Sequence, residues 1–166
     1  GQPLHAFDVS KIQGGQVLVR SFPKGTKFKT LDDQERELHE EDLMIANASS
    51  PMCIAGVFGG IDSGVTEKTS SVFLESAWFN PVRIRKTAKR HGLNTDASFR
   101  FERGVDPQGV IYALNRAADL ILSICGGESI GDVVDVVNDI PQPVSIELSL
   151  QRINAITGLN LDFSRV

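Results

Sequence analysis

The sequence predicts an α+β fold: a mixed or antiparallel β-sheet core with a few packed helices. Short apolar runs of strand length crowd the first half of the 166 residues, and the long helical periodicities come in the second half. Strands and helices therefore do not alternate as a doubly wound parallel sheet requires. With 41% hydrophobic and 23% charged residues, the chain has enough apolar material for a core and is not a disordered tail.

The first strand signal is QVLVRS at 16–21, which alternates apolar and polar residues. A hairpin is expected next, with strands over Lys27–Leu31 and Glu35–Leu38 joined at Asp32-Asp33. Leu43–Ala46, Cys53–Phe58 and Val72–Ala77 read as more buried strands, rich in Val, Ile, Leu and Phe. Between the last two lies GGIDSG (59–64), whose glycines permit backbone conformations a side chain forbids. Asn80-Pro81 is a cap followed by a first-turn proline, and it opens a helix to about Arg90 that stops at His91-Gly92. Asp106-Pro107 repeats the device. Its helix places Val110, Ile111, Leu114, Ala117, Ala118, Ile121 and Ile124 at helical spacing and ends at Gly126-Gly127.

A strand is expected over Val133–Val137, then a Pro-rich linker at 141–143 preceded by Ile140. Beyond it, Ser145–Leu148 reads as a strand and Ser149 as the cap of a short helix ending near Gly158. The expected organisation is a main domain over 1–140 and, over 144–166, the opening of a second domain too small for its own core. The chain opens at Gly1 inside a polar motif, so a piece of a larger protein is expected.

Charge is unevenly distributed. Between Arg83 and Arg103 seven basic residues face two acidic ones, a local +5, and since the whole chain carries −4 the remainder carries −9. Seven carboxylates and one arginine lie between Asp32 and Asp42. The basic stretch fits either a phosphate-facing patch or a solvated helix face. Cys53 and Cys125, 72 positions apart in apolar surroundings, suit two reduced core thiols in a cytoplasmic protein rather than a zinc site or a disulfide scaffold. No apolar run has membrane-spanning length. The glycines at 56, 59, 60 and 64 match neither nucleotide-loop pattern, and CxxC, HExxH and DxDxDG are missing, so no ATP or structural metal is expected on this chain.

Three segments carry candidate chemistry. In GQPLHAFD (1–8), Asp8 lies three residues from His5, where a carboxylate can orient an imidazole or raise its pKa, although a structural histidine explains it as well. In VFLESAWF (72–79), Glu75 interrupts an apolar run, which is costly unless the carboxyl is paired or functional; strand alternation offers an exposed face as the alternative, although Phe73, Leu74, Ala77, Trp78 and Phe79 leave little room for one. The segment HGLNTDASFRFERGVDP (91–107) reads as a loop in which Asp96 and Glu102 can pair with Arg100 or Arg103.

Together, GQPLHAFD, AGVFGG, FLESAWFNPVRIRKTAKRHGL and TDASFRFERGVDP with ICGGE behind it resemble, in order, the B3/B4 editing domain of bacterial phenylalanyl-tRNA synthetase beta subunits. The resemblance covers nearly all of 1–140, and VSIELSLQRINAITG resembles the start of the following B5 domain. It implies a module that hydrolyses tRNA(Phe) wrongly charged with tyrosine. It implies a catalytic alpha subunit as partner in an alpha2beta2 tetramer, tRNA(Phe) and a tyrosine or phenylalanine moiety as ligands, and a cytoplasmic setting. ATP and magnesium would serve the whole synthetase on the alpha subunit, with no cofactor on this chain.

By the same resemblance, Glu75 reads the tyrosine hydroxyl and His5 contributes to hydrolysis, either orienting water or acting as base. Gly59, Gly60, Thr95 and Ala97 line the pocket, and backbone amides of the Gly59-Gly60 loop are candidates for holding the oxyanion. Assistance by a ribose hydroxyl stays open as a third route. Arg83, Lys86, Lys89 and Arg90 are candidate tRNA contacts. The family domain begins upstream of Gly1 and contributes an asparagine to the pocket, so an incomplete site is expected here. Two alternatives remain: a non-catalytic module for tRNA docking and subunit contact, and a purely structural brace.

Overall fold

The computed structural model describes residues 1–138 and 144–166, so the expected linker at 141–143 and Ile140 lie outside the described residues. The chain divides into two units, Gly1–Gly131 and Asp132–Val166.

The first unit is α+β, as expected, and every strand pairing in it is antiparallel. Its sheet follows the order β2-β5-β6-β7, formed by Leu18–Arg20, Met44–Ala46, Pro51–Ile54 and Phe58–Gly59. Strands β3 (Lys27–Lys29) and β4 (Glu35–Glu37) form the expected hairpin. Its turn takes Asp33 to φ 64°, a conformation Asp tolerates better than most side chains. A ribbon of β1 (Leu4–Asp8) and β8 (Val72–Ser76) completes the β structure. The core gathers Phe7, Phe28, Leu38, Met44, Ile45, Met52, Ile54, Phe79, Ile84 and Phe101 around these strands.

Several expectations are corrected. The motif at 1–8 contains a strand of its own, β1, because His5 and Phe7 alternate with residues on the ribbon's other face. The run expected as one strand over Cys53–Phe58 is two, β6 and β7, joined by a tight turn in which the Val57 N–H donates to Ile54 O at 2.9 Å. Gly56 sits there at φ +67°, and a Cβ on it would lie 2.9 Å from the Phe79 ring and 3.0 Å from Ile84 and Phe101, so both backbone and packing call for glycine. Strand β8 is less buried than its composition suggests, with Val72 and Phe73 exposed.

Helix α1 (Pro81–His91) has the predicted cap: Asn80 Oδ1 accepts the Val82 and Arg83 N–H groups, and Gly92 closes the helix at φ 63°. The segment read as a loop contains α2 (Asp96–Phe101). Thr95 caps it, and the Thr95 N–H donates in return to Ser98 Oγ, a capping box with serine in place of the usual glutamate, which hid it from pattern reading. Helix α3 (Gly109–Cys125) starts two residues later than Pro107 implies. None of its residues is buried, although its periodicity suggests a core helix. It backs the β1–β8 ribbon, where Ser76 Oγ donates to Val110 O at 2.8 Å. Cys125, at its end, is exposed rather than a core thiol, while Cys53 is buried as expected.

In the second unit, α4 (Leu150–Thr157) has the predicted Ser149 cap and ends at Gly158. Val133–Val137 and Ser145–Leu148 form no strands. A strand needs a neighbour to take its N–H and C=O groups, and among the described residues none pairs with either segment. No described helix is long and apolar enough to cross a membrane.

Candidate functional site

The register of the β1–β8 ribbon places His5 opposite Glu75. Directly opposed residues of an antiparallel pair project from the same face, with Cβ atoms about 5 Å apart. The neighbouring pair, Leu4 opposite Ser76, projects to the other face, where α3 packs. Seventy positions of chain are thereby folded so that one imidazole and one carboxyl share a face.

Gly59 supplies the third side. A Cβ built there would lie 2.8 Å from His5 Cε1 and 2.9 Å from Leu31 Cδ1, so the imidazole occupies the volume a side chain at 59 would claim. Gly60 is small for a different reason. A Cβ on it would stand 2.6 Å from Met52 O and 2.7 Å from the Phe28 ring, inside the core on the opposite face of β7. The Gly60 N–H donates to Met52 O at 2.9 Å, so that amide is not free to receive an oxyanion.

His5 is half-buried and its ring meets Phe7 edge-on at 4.4 Å between centroids. Its Nε2 is fully buried and has no hydrogen-bond partner. Leaving such a nitrogen unpaired costs on the order of 1–3 kcal/mol. Burial lowers its pKa, which keeps the ring neutral near pH 7.

Asp8 does not orient it. Three positions along a strand put the two side chains on opposite faces. The Asp8 carboxylate is taken by Ser10 Oγ and Thr69 Oγ1, each at 2.6 Å, and by the Ser10 N–H at 2.9 Å. These bonds, Ser10 first and then Thr69, hold Asp8 below the usual carboxylate range.

Glu75 is half-buried, and burial pushes its carboxyl from 4.5 up to about 7. No hydrogen bond or charge from a described residue offsets that burial. Near neutral pH the group is therefore divided between its protonated and ionised forms, able to give or accept a hydrogen bond.

Thr95 and Ala97 stand on α2. Thr95 Oγ1 donates to Val57 O at 2.7 Å, two residues before Gly59, and so ties α2 to the β6–β7 turn. Ala97 is half-buried against the core. The structure thus brings His5, Glu75 and Gly59 together and gives Thr95 a structural bond beside them. A separate open groove of about 710 Å³ lies between α2 and α3, lined by Leu4, Phe99, Arg103, Tyr112 and Leu120 among others; it does not include His5, Glu75 or Gly59. The unsatisfied polar groups, not the larger groove, mark the place where chemistry can occur.

On α1, Arg83 donates to Glu41 O at 2.9 Å and to Ser21 Oγ at 3.2 Å. Arg90 bonds Glu41 Oε2 at 2.7 Å and also pairs with Asp42. Asp42 is fully buried and accepts further bonds from His91 Nε2 at 2.6 Å, Thr87 Oγ1 at 3.1 Å and the His39 N–H at 2.9 Å. Burial would raise its pKa, but the His91 and His39 bonds, the His91 charge and Thr87 outweigh it and hold the group at about 2. Glu41 and Asp42, at the end of the acidic stretch, are in this way the counterions of the basic helix, while Asp32, Asp33, Glu35 and Glu37 pair with Arg36, Lys29 and Lys27. Lys86 and Lys89 are exposed, and neither forms an ion pair among the described residues. The Asp42 cluster escaped sequence reading because nothing in a run of seven carboxylates distinguishes the one that is buried. Among the described residues no group of His, Cys, Asp or Glu side chains is placed to hold a metal ion.

Residues 1–126 match the family described as the B3/4 domain. Among curated relatives, the phenylalanine–tRNA ligase beta subunit of Bacteroides thetaiotaomicron is 56% identical over 158 residues, covering 95% of this chain and 19% of that protein. Those of Porphyromonas gingivalis and Carboxydothermus hydrogenoformans are 54% and 46% identical over 98% and 100% of this chain. The chain spans about one-fifth of the length of these relatives.

Proposed function

The chain belongs to the B3/4 domain family, and from that premise we propose that it is the editing module of a phenylalanine–tRNA ligase beta subunit, hydrolysing tRNA misacylated with tyrosine. The observation that carries the reading is an unpartnered Glu75 carboxyl facing an unpartnered His5 Nε2 across one strand pair, with Gly59 alongside.

The physical need for such a site is clear. A hydrophobic pocket that accepts phenylalanine rejects an analogue with one added hydroxyl by only about a hundredfold. A second pocket that hydrogen-bonds the phenol discriminates in the opposite sense, because phenylalanine entering it leaves a buried polar group unpaired. Glu75 is the phenol reader in this proposal. His5, neutral at physiological pH, positions the attacking water through Nε2. Water oxygen bonds to the ester carbonyl carbon, the carbonyl–ribose oxygen bond breaks, and the ribose oxygen leaves with a proton, giving tyrosine and tRNA. Gly59, with Thr95 and Ala97 from α2, forms the pocket walls in this proposal, whereas Gly60 faces the core and takes no part.

Phenylalanine attachment, with its ATP and magnesium, is assigned to a partner alpha subunit, and residues 144–166 to the start of the next domain. A second reading, docking of the tRNA backbone on α1, is favoured by the exposed Lys86 and Lys89 rather than by Arg83 and Arg90, which are engaged with the acidic segment.

The test uses the full-length beta subunit with its alpha partner. Glu75→Ala and His5→Ala, made separately, are expected to lower tyrosyl-tRNA deacylation at least about a hundredfold while phenylalanine charging is retained. Unchanged deacylation in both variants would overturn the site. Lys86→Glu with Lys89→Glu is expected to flatten the salt dependence of tRNA binding if α1 docks the backbone.

A further inference from the structure

Cys53 lies on the strand beside Gly59 and has no part in the reading above. It stands opposite Gly59 in the β6–β7 pair, so its side chain lies on the face from which a side chain at 59 is missing. That face is the one the His5 ring packs against. Met52 and Ile54, its neighbours on β6, point to the other face by strand alternation. Cys53 is buried, and its thiol lies near Ile54 O and Phe58 O, each at 3.4 Å. Burial, and after it the charge of Glu75, raises the thiol pKa. Cys53 therefore shares one face of the β6–β7 pair with Gly59, the face against which the His5 ring packs.

We propose that Cys53 is a specificity-determining residue that forms the floor of the amino-acid pocket, its side-chain volume setting how large an aromatic ring can reach Glu75 and His5. This rests on the reading of the site given above and extends it to a residue that reading does not use. A thiol suits the position. It is small, it stays protonated when buried, and its weak hydrogen bonding is directed to backbone carbonyls. The floor is thereby uncharged, and it leaves the Glu75 carboxyl and the buried His5 Nε2 without a hydrogen bond from any described residue. Gly59 and Cys53 act as a pair, one making room for the imidazole and the other for the ring beside it.

The test compares Cys53→Ala, Cys53→Ser and Cys53→Val in the full-length beta subunit assembled with its alpha partner. The substrates are tRNA charged with tyrosine and with tyrosine bearing a methyl group at the ring 3-position. One methyl group in a closed pocket is worth about tenfold or more in kcat/KM. Cys53→Val is expected to lower tyrosyl-tRNA deacylation about tenfold, and the 3-methyl ester more. Cys53→Ala is expected to raise the 3-methyl ester relative to tyrosine by several-fold, and Cys53→Ser, nearly the same size, to leave the ratio unchanged. A residue that merely supports the fold would change both esters in proportion, so a constant ratio across the variants overturns the proposal. Phenylalanine charging and the melting temperature report folding, and the alanine and serine variants preserve the test if valine overpacks. Absence of tyrosyl ester hydrolysis in the parent enzyme would instead remove the reading of the site itself.

Discussion

Two carboxyl groups in this protein are withdrawn from water and end at opposite extremes. Asp42 is fully buried where β5 and α1 meet, surrounded by Arg90, His91, Thr87 and a backbone N–H, and is held at about 2. Glu75, half-buried in the β1–β8 ribbon, has burial without compensation and is pushed to about 7. Burial is unfavourable to both charges, and what differs is the partners. A buried carboxylate with its hydrogen bonds satisfied fastens elements together, here the acidic segment to α1. One left unsatisfied weakens the fold and offers a ligand something to complete. The difference separates a brace from a binding site without reference to any relative.

The sharpest way to break this comparison is to remove each carboxyl. Asp42→Ala leaves Arg90 and His91 without their buried counterion and is expected to cost about 3–5 kcal/mol in urea unfolding. A loss under about 1 kcal/mol would mean that the cluster is not the fastening described.

Glu75→Gln is expected to have the opposite sign. A folded-state pKa raised from 4.5 to about 7 means that the native protein binds the extra proton, so stability falls as pH rises through that window. The loss amounts to about 3 kcal/mol. The Gln variant should therefore lose this decline, keep only the rise with pH that the lowered His5 pKa gives below about 6.5, and be more stable than the parent at pH 8, as followed by unfolding midpoints. Asp42 gives the mirror image: its stabilisation is complete above its ordinary value of 3.8 and is lost as pH falls toward 2, about 2 kcal/mol in all. Parent and Glu75→Gln should share that acid limb, and a Glu75→Gln profile that still declines above pH 4.5 would contradict the assignment.

Smaller effects sharpen the picture. Thr95→Ala removes the α2 cap and the bond to Val57 O and is expected to cost about 1–2 kcal/mol. Gly59→Ala is unopposed by the backbone, since Gly59 is not at positive φ, and its overpacking against the ends of the His5 and Leu31 side chains is expected to cost about 1 kcal/mol. Its added methyl displaces the His5 ring, so deacylation should fall far more than stability does. A large stability loss with retained deacylation would show that the imidazole is not what Gly59 accommodates.

Part of this contrast is legible along the chain. Glu75 in its apolar run announces a costly carboxyl, and His5 lies in a motif distinctive enough to be noticed. Asn80-Pro81 and Gly92 bracket α1 because capping chemistry is local. The capping box of α2 is local too, but serine at its third position falls outside the usual pattern. Asp42 is not legible, since its burial comes from β5 and a helix forty residues away. Cys53 is legible only as a buried thiol.

The sequence by itself determined the α+β class, the hairpin, the principal helix caps and the suspicion attached to His5 and Glu75, because each follows from periodicity or from a residue's own chemistry. Tertiary structure decided that His5 faces Glu75, that Asp8 does not serve His5, that Gly59 makes way for an imidazole and Gly60 for the core, and which carboxyl is satisfied. Strand register and the packing of distant elements set those outcomes. A shift of register by one residue would turn His5 and Glu75 to opposite faces without altering either residue's intrinsic preference.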